Sequence, residues 1–242
     1  MRSLVLLALG WLAYAALHSL LADLRVKAWV ARRWPRYAPA YRLGYNLLAV
    51  LLALPLAWAT WALPGDWLWR WAGMGAWLAN GLALAGLALF AAAGPLYDMG
   101  EFLGSRPLCE GRSTVTEHEG LRLSALHRHV RHPWYALGLL LLWTRDMNAP
   151  MLVSALAVTA YFVLGSRLEE RKLEAHFGTA YGDYRQRVPG LLPLPWRQIT
   201  AAEAEAYARR AQASVTATAM PAAALGIPDQ DAVARTPGRE AP

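Results

Sequence analysis

Residues 3–22 read SLVLLALGWLAYAALHSLLA, an uncharged run long enough to cross a membrane as a single helix. About 20 apolar residues span a hydrocarbon core of about 30 Å. Residues 43–63 and 71–93 form two further uncharged runs of similar length, and the third is rich in glycine and alanine. Because none of these runs keeps a polar face for water, the pattern disfavours a soluble helical core.

Two shorter apolar runs follow at 133–144 and 150–166, separated by the turn-like residues RDMNA. Each is marginal as a span alone, but together they predict a helical hairpin. The sequence therefore predicts an all-α, polytopic integral membrane bundle of about five transmembrane helices, with the last two as the hairpin. We expect this domain to cover residues 1–197. Residues 198–242 are expected to form an alanine-rich helix and then a disordered polar tail.

The composition supports a membrane protein. Of the 242 residues, 56% are hydrophobic and 17% are charged, against about 25% charged in soluble domains. Twelve Trp and ten Tyr against four Phe fit the aromatic belts of membrane interfaces. The single cysteine, Cys109, excludes an intrachain disulfide and a cysteine-based zinc site.

The basic residues alternate along the chain and predict its orientation. Loop 23–42 holds six Lys and Arg, loop 94–132 five and the region after 166 ten, whereas loop 64–70 and the hairpin turn hold one each. By the positive-inside rule the N-terminus lies outside and the C-terminus in the cytoplasm, in a multi-pass protein of a bacterial inner membrane. The basic block after the first run also argues against a cleaved signal peptide. The net charge of +7 then serves orientation and lipid contact, and we expect no nucleic-acid partner.

Polar residues converge on the predicted cytoplasmic leaflet, where they are costly and therefore candidates for function. They lie at the ends of all five apolar runs: His18, Tyr41, Tyr45, Asn46, Asp98, Glu101, His127, Arg131, His132, Glu169 and Glu170.

The segment LHRHVRHPWYALG, residues 126–138, predicts a helix start. Pro133 suits the first turn of a helix, where its missing N–H is harmless. Arg131 and His132 would then stand at a helix N-terminus that favours an anion such as a carboxylate or phosphate. The alternative is that these cations only mark a cytoplasmic helix end. The histidine spacing matches no standard zinc pattern, so we assign no metal, and haem ligation with His18 is a minor alternative.

The segment RLEERKLEAHFGTAYGDYRQRVPGLLP, residues 167–193, predicts the partner of that helix start. A carboxylate of Glu169 or Glu170 could accept both hydroxyls of a ribose or pair with an ammonium group. The alternative is a solvated helix with weak Arg167–Glu170 and Glu169–Lys172 pairs. Downstream, Tyr181 and Tyr184 share a helix face with Arg187, and these residues either pack a planar ring or cover the hairpin.

Together, RHPWY and the later block LEERKLEAHFGTAYGDYRQRVPGLLP resemble the isoprenylcysteine carboxyl methyltransferase and phospholipid methyltransferase superfamily. That family shows RHPxYxG, a helical hairpin and EExxLxxxFGxxYxxYxxxVP. The N-terminal segments WLAYAALHSLLADLRVK, YRLGYN and YDMGEFLG are similar to the NnrU and methanethiol S-methyltransferase branch. The resemblance covers roughly residues 10–196. It has one departure, since the family glycine two residues after the tyrosine is Leu137 here, with Gly138 next.

The resemblance implies a membrane-embedded methyltransferase that uses S-adenosylmethionine, bound on the cytoplasmic side between the RHP and EE segments. The acceptor would be small or lipophilic: a thiol, a carboxylate or a lipid amine that enters from the membrane lipid. The residues implied or proposed for cofactor binding are Arg131, His132, Tyr135, Glu169, Glu170, Tyr181 and Arg187. The catalytic candidates are Arg131, Glu170 and His127, with Glu170 and His127 as possible bases.

Three other functions stay open on the sequence alone. A non-catalytic NnrU-type membrane protein linked to nitrogen-oxide metabolism is favoured by the Leu137 departure. A sterol-reductase-like NADPH-binding protein would share the YxxYxxxVP hairpin, but such enzymes usually carry an NYLGE-type segment where this chain has RHPWY. The third alternative is a haem-binding electron carrier.

Overall fold

A computed structural model describes residues 1–94, 97–113 and 121–219 of the chain. Within these residues the fold is almost entirely helical, as the sequence predicts. The helices are α1 (Arg2–Ala22), α2 (Leu24–Arg33), α3 (Tyr41–Ala62), α4 (Gly73–Ala93), α5 (Met99–Leu103), α6 (Ser105–Glu110), α7 (Pro133–Trp143), α8 (Ala149–Phe177), α9 (Thr179–Arg187) and α10 (Ala201–Ala219). Short 3-10 helices cover Pro35–Ala40 and Ala125–Arg128, and two short strands are β1 (Trp67–Trp69) and β2 (Met147–Asn148).

In the described part of the chain, four helices are long and apolar enough to cross a membrane: α1, α3 with the 3-10 turn before it, α4 and α8. Large apolar side chains on their outer faces are exposed, among them Leu6, Trp58 and Trp77. Such an apolar surface is suited to lipid rather than water. Helix α7 is shorter, with 11 residues, or about 16 Å of length. It forms the predicted hairpin with α8.

The helices pack where small residues or buried polar pairs allow close approach. A Cβ on Gly10 of α1 would meet Leu56 of α3 at 2.7 Å, and one on Gly86 of α4 would meet Leu140 of α7 at 3.1 Å. Inside the bundle, Ser154 of α8 accepts from the Trp11 indole at 2.8 Å and bonds the Thr60 hydroxyl at 2.6 Å. Small residues and interhelical hydrogen bonds are the usual means of helix association in lipid.

The two ends of the bundle differ in character. At one end β1 pairs with β2 antiparallel, which joins the α3–α4 loop to the α7–α8 turn. At the other end the Tyr41 hydroxyl donates to the Leu21 carbonyl, so the end of α1 meets the start of α3. The C-terminal part of α8 and the start of α7 also lie at this second end, which carries most of the basic residues. We call it the basic end.

Beyond the bundle, α9 and α10 fold back on the last turns of α8. Their shared core contains Phe177, Tyr181, Tyr184, Tyr207 and Val188 among its buried residues. Residues Ala201–Ala219 form α10, which packs into this core through Ala204, Tyr207 and Ala211. The predicted polar tail at 220–242 lies outside the described residues.

Candidate functional site

The centre of the basic end is an ion pair between Arg131, just before α7, and Glu170 near the end of α8. The Arg131 Nε and Nη2 atoms lie 2.8 Å and 2.7 Å from the Glu170 Oε1 atom. Only 11% of the Arg131 side chain and 5% of the Glu170 side chain are exposed. Glu170 thus pairs across 39 residues of sequence, in contrast to the local Arg167–Glu170 pair of the solvated-helix alternative.

His132 completes this centre from the same loop. Its Nε2 atom lies 3.0 Å from the Glu170 Oε1 atom, and its Nδ1 atom lies 3.6 Å from Glu169 Oε2. An ionised carboxylate can only accept hydrogen bonds, so the hydrogen of that contact belongs to Nε2 of His132. His132 is itself buried. The structure therefore brings side chains of the RHP and EE segments into contact.

The loop after α9 closes the centre through its backbone. The amides of Arg131 and His132 donate to the carbonyls of Pro189 and Gly190 at 2.8 Å and 3.1 Å. Arg131 Nη1 also donates to the carbonyls of Val188 and Arg185. Arg131 thus makes hydrogen bonds through Nε and Nη1, while its Nη2 atom keeps the ion-pair contact with Glu170.

Aromatic rings extend from the centre into the bundle. The His132 ring stacks on Tyr135 at 5.5 Å, and Tyr135 stacks on Phe162 of α8 at 4.6 Å between centroids. A Cβ on Gly138 would meet Phe162 at 3.3 Å, and Leu137 is buried. The glycine displaced by one position thus still permits close approach, but between α7 and α8.

Two charged residues border the centre and remain partly open to solvent. The Glu169 side chain is 50% exposed, beside His132, and the Arg185 side chain is 45% exposed. Arg185 Nε lies 3.3 Å from Glu170 Oε2, and its Nη1 lies 2.7 Å from Glu174. The rim of the centre therefore carries both a half-exposed carboxylate and a half-exposed guanidinium.

His127 lies close to this centre, where its ring caps the 3-10 helix Ala125–Arg128. Its Nδ1 atom is 2.8 Å from the Ser124 hydroxyl and 3.2 Å from the Ser124 amide, which closes a capping box. Burial, with a smaller effect of the His132 charge, lowers the pKa of His127 to about 4. A base works best with a pKa near the working pH, so this geometry favours capping over the predicted proton transfer.

The structure separates the two tyrosines of α9, Tyr181 and Tyr184, from Arg187. Both tyrosines are buried in the α8–α9–α10 core, and burial raises the pKa of each. The Tyr184 hydroxyl donates to the His127 carbonyl at 2.7 Å. Arg187 pairs with Glu203 of α10 at 3.2 Å and is exposed there. The structure therefore favours the interpretation that these tyrosines cover the hairpin.

Sequence reasoning missed two residues at this site. Arg185 reads as one of several basic residues on α9, and only the fold brings it to Glu170. Tyr97 packs its ring against Trp134 at 5.1 Å and His127 at 6.3 Å. Among the described residues, its buried hydroxyl has no hydrogen-bond partner. In the sequence, the one feature that draws attention to Tyr97 is its place in the family-like segment YDMGEFLG.

The described residues also bear on the metal alternatives. No group of three or more His, Cys, Asp and Glu side chains among them could hold a metal ion. The His18 ring nitrogens contact the hydroxyls of Tyr45 and Tyr161 within the bundle. The haem ligation considered above would have to break at least one of these contacts, at the nitrogen that binds iron.

Comparison with known proteins identifies the family. The chain is 35% identical over 184 residues to methanethiol S-methyltransferase 2 of Bradyrhizobium diazoefficiens, an alignment that covers 74% of this chain and 69% of that protein. The chain belongs to the methanethiol S-methyltransferase family. Family enzymes of Pseudomonas sp. strain GM41(2012) and Mycobacterium tuberculosis are 33% and 32% identical, with 74% and 76% of this chain and 69% and 75% of theirs covered. No family model matches the chain. No solved structure matches it either.

Membership of this family confirms the predicted branch and the prediction of a membrane methyltransferase. The relatives are named as enzymes that methylate a thiol, so they do not favour the non-catalytic or the NADPH-binding alternative. A methyltransferase needs a methyl donor.

Proposed function

We propose that this chain transfers a methyl group from S-adenosylmethionine to a small thiol at the basic end of the bundle. Methanethiol is the thiol in the names of the relatives. The observation that carries the proposal is the Arg131–His132–Glu170 centre, bordered by the half-exposed Glu169 and Arg185. These residues hold positive and negative charges within a few ångströms of one another at a membrane surface.

The residues present fit the chemistry of S-adenosylmethionine. Its carboxylate calls for N–H donors, and its ammonium and ribose hydroxyls call for a carboxylate. The half-exposed Arg185 supplies the donors, and Glu169 supplies the acceptor. The Tyr97 hydroxyl, buried beside Trp134 with no described partner, is a further polar atom suited to a bound ligand.

We assign different roles to the buried and the half-exposed residues. Arg131, His132 and Glu170 satisfy one another, so they orient the site and keep its charges fixed. Glu169, Arg185 and Tyr135 have surface left to contact the methyl donor. Tyr181 supports the site from the α9 core, and we assign Arg187 to the α10 contact rather than to the ligand.

Methyl transfer from a sulfonium is an in-line displacement in which a cation and an anionic nucleophile lose charge together. A site with little water favours such a reaction, and positioning the nucleophile in line supplies much of the acceleration. An apolar thiol can enter such a site from the lipid while the charged donor enters from the aqueous side. We propose that this side is the cytoplasm and that the chain resides in a bacterial inner membrane, as its basic loops predict.

Isothermal titration of S-adenosylmethionine into the detergent-solubilised chain tests the proposal, with NADPH as a control ligand. We expect saturable binding of S-adenosylmethionine alone. Replacing Glu169 by Gln should weaken that binding about tenfold or more, because a charge-assisted contact is lost. The matched variant Glu205→Gln changes an exposed glutamate on α10, which pairs only with Arg209 among the described contacts, and should bind normally. Wild-type protein that binds neither ligand would contradict the proposal.

A further inference from the structure

A cavity of about 180 Å³ opens at the basic end where α1, α2, α3 and α5 meet. Pockets for drug-sized ligands usually measure roughly 300–1,000 Å³, so this cavity suits a much smaller molecule. Its wall is formed by Ala22, Lys27, Tyr41, Arg42, Tyr45, Asn46 and Phe102. None of these residues belongs to the Arg131–Glu170 centre.

The wall of the cavity leads to a histidine inside the bundle. Tyr45 lines the cavity, and its hydroxyl lies 2.7 Å from Nε2 and 3.0 Å from Nδ1 of His18. The Tyr161 hydroxyl of α8 also contacts Nδ1. A neutral imidazole has one ring nitrogen that donates and one that accepts. Tyr45 and His18 can therefore accept a proton from a group in the cavity.

The charges around the cavity suit an anion. Lys27 and Arg42 line it, and Arg42 also pairs with the buried Glu101 at 3.4 Å. Nearby cations favour the thiolate form of a thiol. The titratable groups that face His18 are Tyr14, Tyr45 and Tyr161.

The cavity also connects to the centre through neighbouring side chains. Tyr161, the partner of His18, precedes Phe162 on α8, and Phe162 stacks on Tyr135 beside His132. Glu169 and Glu170 follow two helical turns later on the same helix. The same part of α8 therefore contacts both the His18 ring behind the cavity wall and the aromatic rings beside the Arg131–Glu170 centre.

Resting on the proposed function, we propose that this cavity is the acceptor subsite, which binds a small thiol against Tyr45 and uses the Tyr45–His18 pair as its base. The thiol S–H bond breaks, its proton passes to the Tyr45 oxygen, and the Tyr45 hydrogen passes to Nε2 of His18. The thiolate electron pair then forms a bond to the methyl carbon of the sulfonium donor. The bond from that carbon to the sulfonium sulfur breaks, and its electrons stay on the departing thioether.

The first experiment measures thiol binding without any methyl donor. Sodium methanethiolate is titrated into the full-length protein in detergent, and the heat of binding is recorded. Ala22→Leu fills the cavity and should reduce the affinity about tenfold or more, by overpacking. The control Ala16→Leu adds the same volume on the exposed face of α1 and should bind as wild type. Equal affinity in both variants would overturn the proposal.

The second experiment tests the proton transfer. Tyr45→Phe and His18→Gln should lower kcat/KM for the thiol by about 100-fold near neutral pH, the lower range for general-base catalysis. The loss should shrink as the pH rises, because the thiol then ionises without help. The controls Tyr37→Phe and His129→Gln alter exposed residues and should keep wild-type rates. A loss that does not change with pH would overturn the proposal.

Titration of S-adenosylmethionine separates the two proposals. We expect wild type, Tyr45→Phe and Ala22→Leu to bind it equally, since their changes lie outside the donor site. If wild type failed to bind it, the proposed function would be refuted, and the thiol titration would still report on the cavity.

Discussion

At the scale of single residues, the two adjacent glutamates of the EE segment have opposite environments. Glu170 is surrounded by Arg131, His132 and Arg185, whereas half of the Glu169 side chain faces solvent. Adjacent positions on a helix point about 100° apart, so one can enter the protein while the next stays at its rim. A motif that lists both residues does not reveal this division.

Replacing Glu170 by Ala should destabilise the protein strongly, because Arg131 and His132 would keep their burial and lose their partner. Breaking a buried pair in this way costs about 3–5 kcal/mol. Glu169→Ala should change the unfolding free energy by less than about 1 kcal/mol, as is usual for an exposed pair. Thermal unfolding in detergent measures both variants. Equal losses would show that the structure misassigns the buried carboxylate.

His127 should make the protein sensitive to acid. Burial lowers its pKa to about 4, while an unfolded histidine titrates near about 6.5. Between these values the unfolded chain binds more protons, so the stability is fully present above about pH 6.5 and falls as the pH drops toward 4. Unfolding temperatures of wild type and His127→Gln across this range provide the measurement. The variant should show a shallower decline, and parallel curves would assign the acid sensitivity to other groups.

At the scale of elements, hydropathy predicts the spanning helices because a run of about 20 apolar residues matches the thickness of the hydrocarbon core. It does not predict how α10 packs. That helix buries small and aromatic residues, Ala204, Tyr207 and Ala211, within an alanine-rich sequence that looks uniformly polar or neutral. The cavity is likewise invisible in the sequence, because α1, α2, α3 and α5 build it from residues far apart along the chain.

The packing of α10 can be tested at Tyr207, whose ring contacts Tyr184 at 5.9 Å. Tyr207→Ala should lower the free energy of unfolding by about 3–5 kcal/mol, as truncation of buried aromatics does. Glu205→Ala, on the exposed side of the same helix, should have an effect within about 0.5 kcal/mol. Chemical denaturation monitored by tryptophan fluorescence compares them. A small effect of Tyr207→Ala would mean that α10 detaches without consequence.

Gly104 and Gly111 allow a matched test of the segment next to the cavity. Gly104 has a φ of +90°, and a Cβ there would lie 2.5 Å from the backbone nitrogen of Leu43. Gly111 has a similar φ of +64°, but no heavy atom of the described residues would lie within 4 Å of a Cβ there. Gly104→Ala should therefore destabilise by about 1–3 kcal/mol more than Gly111→Ala, because overpacking adds to backbone strain. Similar unfolding temperatures for the two variants would contradict the close contact between α5 and α3.

At the scale of the whole molecule, the orientation in the membrane is a prediction that the single cysteine can test. Cys109 is exposed on α6, on the same side as the basic loops. In intact bacterial cells it should react with a membrane-permeant maleimide and resist an impermeant one. The double variant Cys109→Ser, Asp66→Cys moves the thiol to the opposite loop and should reverse the result. Labelling of Cys109 by the impermeant reagent would place the basic end outside.

The backbone hydrogen bonds from Arg131 and His132 to Pro189 and Gly190 have a consequence for how this protein can change over generations. They use main-chain atoms alone, so any residue except proline at positions 131 and 132 can donate them, whatever side chains the two stretches carry. Chimeras that take residues 126–138 from one family member and residues 185–190 from another should therefore express as well as their parents, and only a proline at position 131 or 132 should prevent it.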